Sequence, residues 1–551
     1  MTVATHLLHA ALAVVAWWLC KVVQVIHSTR GQPGFVAVLR PYSEFGQVFF
    51  PYHWRFNLGI GLAWKLKTDL YRKYNSNILV VPSLFPPVVT ILVADAQAIH
   101  QVNNDHQHFQ KDPISTGSVG KLFGSSILTS EGAEWRRHRK VVVSGFSERN
   151  TAALWDSTID VVSRWIEENK ARAGQGESIL VRNTENVWAI LALLIMGQAG
   201  FGIDLGWPAS LASGDGLDHS SDSSANAFYS ASSRIVKDWI PLAFLPKIFL
   251  RPIPITADFK KAVEGQALFE KELGKAVSQR VEEVKAEGKG QDEKKNDLLT
   301  LLCRANVLED TKSKLSAKEL FSDAFVFLIA GHETTAGTIT AALAFLSIYP
   351  QYQTAILEEV SSVFGDGTNT SYPATYRALP MTLAVVHETL RLAGPAQALH
   401  KASIAPTALL AKKVAPDGST SEGDFVFVPQ GAYVRIHVQG VHYSDDWTDA
   451  TSFKPERFLE KENINERMKS LLPFSSGSRG CIGRQFSLVE SVALIAMIVH
   501  KYKLEVPPHK KEEWAKKEGE SENEWHDRVL SPLNFFTLAP QNVDLVFVPR
   551  D

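Results

Sequence analysis

Phe474-Ser475-Ser476-Gly477-Ser478-Arg479-Gly480-Cys481-Ile482-Gly483 is the stretch on which the reading of this chain turns. It places one cysteine in a polar, glycine-rich loop directly ahead of an apolar, helix-forming run, Arg484 to His500. A thiolate at that position is stabilised by the free backbone N–H groups and the dipole of the helix N-terminus. Gly477 and Gly483 let the loop bend tightly and let backbone approach a flat ligand closely. A structural cysteine buried in a turn is the plain alternative, and three further motifs weigh against it.

Ala317 to Tyr349 reads as one apolar helix with Ala330-Gly331-His332-Glu333-Thr334-Thr335 at its middle. Burying an acid and a hydroxyl there is costly, so the pair suits proton delivery to an oxygen ligand. Phe327, Ala330, Gly331 and Thr334 fall on one helical face. The ordinary alternative is a threonine bonding back to a helical carbonyl. His332 reads as a satisfied polar residue, not a metal ligand. Glu388-Thr389-Leu390-Arg391 sets opposite charges at i and i+3, and Phe453 to Phe458 adds Arg457. In Trp135-Arg136-Arg137-His138-Arg139-Lys140, Trp135 and Arg139 are one helical turn apart. Arginine's planar fork is the natural partner of a carboxylate.

Taken in chain order, these motifs resemble the cytochrome P450 monooxygenases, most of all fungal microsomal members. The resemblance implies a mainly α cytochrome P450 fold with a small peripheral β region. It implies haem b ligated by Cys481, with Phe474, Gly477 and Gly483 shaping the loop beside it. Trp135 and Arg139 are then assigned to one propionate and Arg479 to another. Thr334 organises a proton relay that Glu333 feeds, and Glu388, Arg391 and Arg457 form an architectural triad. Substrate-lining candidates are Phe327, Ala330, Gly331, Ala398, Leu399 and Phe535, with ordinary core packing as the alternative for the aromatics. Arg136, Arg137 and Lys140 would face outward toward an acidic flavoprotein.

The implied reaction inserts one oxygen atom from O2 into an apolar small molecule, a terpenoid or other secondary metabolite. Electrons come from NADPH through NADPH–cytochrome P450 reductase, with cytochrome b5 as a further candidate donor. Two other readings remain: an oxygen-independent haem-thiolate isomerase or dehydratase, and a non-catalytic haem-binding protein. The intact Glu333-Thr334 pair opposes the first. The long helix and the basic patch oppose the second.

The totals agree. A net charge of −2 over 551 residues argues against a nucleic-acid partner, which needs a basic surface. Three cysteines (Cys20, Cys303 and Cys481) build no disulfide framework. Residues 1–28 read as a single-pass membrane anchor, 29–55 as a linker and 56–551 as the haem-thiolate domain. No Lys or Arg precedes the apolar run, while Lys21, Arg30 and Arg40 follow it. By the positive-inside rule the catalytic domain is cytosolic, on the endoplasmic reticulum membrane. A cleaved signal peptide would want a basic n-region. Periodicity predicts strands within 78–93 and helices over 135–143, 151–170, 184–196, 257–284, 317–349, 351–363 and 375–392. Residues 507–527 read as a charged surface insertion, and 535–538 with 543–548 as a terminal hairpin. Trp239 to Leu250, apolar and broken by prolines, is either buried or a second membrane contact.

Overall fold

The structure, a computed structural model, describes residues 3–43, 62–174, 176–208, 211, 229–232, 235, 242, 257–287, 297–307, 314–365, 371–460, 462, 464–534 and 537–550. Phe535 and all but Leu242 of the 239–250 loop lie outside the described residues. The chain divides into two compact units. One comprises Met1–Ser115, Ala396–Ala450 and Asn465–Gly480; the other comprises Thr116–Pro395, Thr451–Ile464 and Cys481–Asp551.

The strands, in chain order, are β1 (Ala37–Leu39), β2 (Ile78–Phe85), β3 (Val89–Val93), β4 (Phe109–Lys111), β5 (Ile179–Val181), β6 (Ala398–Ser403), β7 (Thr407–Val414), β8 (Thr420–Val428), β9 (Tyr433–His437), β10 (Tyr502–Glu505), β11 (Leu533–Asn534), β12 (Leu538–Ala539) and β13 (Leu545–Pro549). The first unit is built on a six-stranded sheet of order β1-β2-β3-β9-β6-β4. The β-branched runs of β2 and β3 suit a pleated surface buried on both faces. Ile78, Val80, Ile91 and Val93 enter one apolar cluster, and Leu79, Val81 and Leu92 enter the other.

The segment read as a linker is in part sheet. β1 pairs parallel with β2, and Gly34 bridges to Val80. A Cβ at Gly34, whose φ is +147°, would stand 1.9 Å from the Val80 carbonyl oxygen. Pro33-Gly34 therefore marks a close backbone approach within the stretch that composition reads as a linker. Arg40 is buried 4.3 Å above the Tyr433 ring. Ahead of this segment runs the N-terminal helix Val3–Ser28. Its Thr5–Ser28 stretch, with mean hydropathy 1.7, is long and apolar enough to cross a membrane. Trp18 donates its indole N–H to the Leu84 carbonyl at 3.0 Å.

Helices dominate the second unit, and their bounds follow the sequence periods closely. The long helix Ala317–Ile348 starts with a capping box, Ser316 and Glu319 each bonding the other's backbone N–H. It packs on the helix Thr184–Ile195 and on Arg484–Lys501. The expected helix over 375–392 is two, Ala374–Arg377 and Pro380–Ala393, because Pro380 suits a first turn and not an interior.

Two C-terminal expectations are corrected. β13 pairs with β10 and β5, not with the 535–538 segment; β11 and β12 form their own ladder. The charged 507–527 stretch is folded: it contains a short helix Lys511–Trp514 and leads, through the Ser521–Glu524 capping box, into Glu522–Leu530. Trp514 is 2 % exposed, and its carbonyl accepts the Trp525 indole N–H at 2.7 Å.

Candidate active site

Cys481 sits where the loop becomes the helix Arg484–Lys501, with Gly483 at the N-cap. Its sulfur is accessible. Burial by the surrounding protein nevertheless pushes the thiol above its ordinary value, while the Gly483 N–H and the Arg484 guanidinium pull it down. A metal ion there would reverse the balance, since a coordinating thiol is deprotonated outright. A Cβ on Gly483 would lie 3.6 Å from Phe146 and 4.0 Å from the sulfur, so the missing side chain keeps one flank of the sulfur clear.

The loop's first half belongs to the other unit. Gly477 adopts φ +71°, and a Cβ there would meet the Asn104 side-chain oxygen at 2.6 Å. Asn103 donates to Ser476 Oγ at 2.9 Å, and His106 meets Ser478 Oγ at 2.9 Å. These bonds strap the loop to the helix Ala96–Asn104. Phe474 and Arg479 are half-buried in the same segment.

The long helix is buried almost throughout, yet Ala330 is exposed and Gly331, Glu333 and Thr334 are half-exposed. Such a patch in mid-helix requires open space beside it. Thr334 donates its hydroxyl to the Ala330 carbonyl at 2.8 Å, as mid-helix threonines do, which leaves its lone pairs to accept a proton donor. Glu333 accepts from Thr537 Oγ1 at 3.1 Å. Gly331 is accounted for differently from the sequence reading: a Cβ there would meet Met196 Cε at 2.3 Å. Phe327 is buried, tilted against Phe146 with ring centroids 5.8 Å apart, so it packs in the core and not in the accessible patch. His332 is buried with Nδ1 2.7 Å from the Leu328 carbonyl, and burial lowers its pKa to about 4.

Ala398 and Leu399 are neighbours on β6 and point to opposite faces. Ala398 packs against one apolar cluster of the sheet and Leu399 against the other. Trp135 and Arg139 are half-buried on the helix Gly132–Val142, with the guanidinium 5.6 Å from the indole centroid. Of the three basic residues expected to face outward, Arg136 and Lys140 are exposed. Arg137 is instead engaged by both oxygens of Glu319 and donates to the Lys314 carbonyl at 2.6 Å.

Glu388, Arg391 and Arg457 do come together, in the core of the second unit. Glu388 accepts Arg391 Nε and Nη2 at 2.8 Å each, Arg457 Nε at 3.2 Å and the Lys454 backbone N–H at 2.8 Å. Met196, Phe146 and Thr537 were not anticipated as neighbours of the site. Their contacts are made across large sequence separations, and no local pattern marks them.

The sulfur donor at a helix N-terminus and the accessible patch on a buried acid-and-hydroxyl helix fit a haem-thiolate centre. The chain matches the family described as Cytochrome P450 over residues 63–521. It is 32 % identical over 493 residues to Cytochrome P450 monooxygenase 124 of Postia placenta, covering 88 % of each chain. It is 25 % identical to Echinocystic acid 23-monooxygenase of Saponaria officinalis, covering 80 % of this chain and 78 % of that one. The solved haem domain of cytochrome P450DA superposes with a TM-score of 0.68 at 18 % identity, over 93 % of this chain and 99 % of that one. A motif set in family order, a family match over most of the length and a fungal relative along nearly all of both chains have one meaning: this chain belongs to the cytochrome P450 family, and it is a monooxygenase of that family.

Proposed function

We propose that this enzyme inserts one oxygen atom into an apolar small molecule, a terpenoid or other secondary metabolite, using electrons from NADPH delivered by a membrane-bound reductase. The observation that carries the reading is the accessible Ala330–Thr334 patch on an otherwise buried helix. It offers a small, largely apolar surface with one hydroxyl and one carboxylate for proton handling. Cys481 would hold haem b, with Trp135, Arg139 and Arg479 as partners for its propionates, and the group would supply the activation of O2. Thr334 holds a proton donor at its free lone pairs, and Glu333, oriented by Thr537, exchanges protons with it. Ala330, exposed in mid-helix and small, would leave room for substrate beside the haem. Glu388, Arg391 and Arg457 hold the segment that leads into the cysteine loop.

Relatives support a secondary-metabolite substrate: one is named for echinocystic acid, another for a phomenoic acid biosynthesis cluster. The apolar N-terminal helix supports attachment to the endoplasmic reticulum with the catalytic part cytosolic. Exposed Arg136 and Lys140 suit docking of an acidic reductase, or of cytochrome b5.

The test is Thr334→Ala in a reductase-coupled assay against a substrate panel. The variant is expected to keep haem and the substrate-induced spectral shift while diverting NADPH to peroxide. Full coupling of NADPH to product in that variant contradicts the proton-handling role. Turnover that persists without reductase and O2 points instead to an isomerase or dehydratase.

A further inference from the structure

Among the described residues, one cluster of metal-ligating side chains lies apart from Cys481. Glu134 and His138 are i and i+4 on the helix Gly132–Val142, hence on one face. Glu319 comes from the first turn of the long helix. One ligating atom from each lies within 4.8 Å of the others. We propose that Glu134, His138 and Glu319 bind a divalent transition-metal cation of the zinc class, with water completing the coordination.

The orientation of His138 carries the argument. The residue is wholly buried. Its Nδ1 lies 2.6 Å from Asp323 Oδ2, and the other Asp323 oxygen is fixed by the Ile127 N–H at 2.7 Å. A carboxylate that accepts from Nδ1–H sets the tautomer and presents Nε2 as a lone pair. This is the arrangement that orients ligating histidines in zinc sites. That Nε2 atom has no hydrogen-bond donor. It faces Glu319 Oε1 at 3.6 Å, too far for a hydrogen bond. Two electron-pair donors thus face each other with no hydrogen between them. Zinc–nitrogen and zinc–oxygen bonds of about 2.0–2.1 Å in a tetrahedron put ligand atoms about 3.3 Å apart. The His138–Glu319 separation is close to that edge, and Glu134, exposed at the rim, offers an oxygen within 4.8 Å of the other two ligand atoms.

Three interactions compete. Arg137 engages both Glu319 oxygens, the Ser316 backbone N–H donates to Glu319 Oε2 at 2.8 Å, and Ser125 donates to Glu134 Oε1 at 2.6 Å. Glu319 Oε1, the oxygen that faces His138, and Glu134 Oε1 each accept one of these donors and keep a second lone pair, so the cation shares these oxygens and need not displace the donors.

The experiment uses the full-length, haem-loaded protein, stripped with chelator and dialysed against micromolar zinc. One zinc per chain is expected, with an imidazole shell in zinc-edge X-ray absorption. Glu134→Gln, a change at an exposed position that leaves the core alone, is expected to weaken binding at least about tenfold at unchanged haem content. Asp323→Asn, which misorients His138, is expected to weaken it about 10–100-fold. The inference is overturned by absence of stoichiometric uptake. It is also overturned by uptake that Glu134→Gln leaves unchanged, or by a zinc site without imidazole. Either of those marks adventitious surface binding only.

Discussion

Replacing Glu388 by glutamine changes one atom and tests how the core of the second unit is held. The Glu388 and Arg391 side chains are fully buried, and Arg457 is 7 % exposed. The carboxylate takes four donors, two of them from Arg391. Glutamine keeps the shape but offers a single acceptor oxygen. Whichever way the amide points, its NH2 faces a guanidinium N–H, and two buried cations lose their counter-charge. Breaking a buried ion pair from one side costs about 3–5 kcal/mol, because the remaining charge has no water to turn to. Unfolding entropy for a unit of this size is about 0.8 kcal/mol/K at about 2.1 cal/mol/K per residue, so Tm should fall by about 4–6 °C. Thermal melts followed by far-UV circular dichroism, at low and at high salt, provide the measurement. A buried pair is screened little, so the drop should persist in salt. A loss of less than about 1 kcal/mol, or one that salt abolishes, refutes the reasoning, since that is how a solvent-exposed pair behaves.

Glu490 is fully buried, its Oε1 has no hydrogen-bond partner, and burial pushes its pKa up to about 8 from 4.5. The native state therefore keeps a proton that the unfolded chain releases, and stability falls as pH rises from about 4.5 to 8. Glu490→Leu should raise Tm more at pH 8 than at pH 5; an equal gain at both contradicts the assignment. Cys481→Ser should abolish the thiolate-type Soret band of the ferrous–CO complex, and an unchanged spectrum from folded variant removes Cys481 as the ligand. Deleting residues 1–28 should leave haem-loaded protein that still floats with vesicles through the 239–250 loop; wholly soluble, folded protein contradicts that second contact.

What could be read in the sequence was local. Glu388 and Arg391 meet because i and i+3 share a face, and the long helix was visible as one apolar period with its cap. The charged stretch 507–527 misled because its charges outnumber its two anchors. Trp514 and Trp525, together with the Ser521–Glu524 box, were the available signal of folded structure. Pairing of β13 with β10 and β5, the seat of Met196 against Gly331 and the Thr537–Glu333 bond depend on tertiary packing over long separations. That Ala398 and Leu399 pack against different apolar clusters follows from the strand they share, which turns successive side chains to opposite faces.

The Trp18–Leu84 bond removes slack. The helical residues ahead of Trp18 extend about 22 Å at 1.5 Å per residue, against a hydrocarbon thickness of about 30 Å. From Trp18 onward the helix runs beside β2 as far as Ser28, and in the turn that follows Gln32 accepts the Phe427 backbone N–H before β1 pairs with β2. For a chain inserted through this helix, depth in the bilayer and height of the sheet above it are one coordinate. Adding a helical turn ahead of Trp18 would seat more residues in lipid and leave the sheet where it was. Adding the same turn between Trp18 and Gln32 would instead tear the helix from the strand it rides on, so this short joint acts as a stiff gauge and not as a leash.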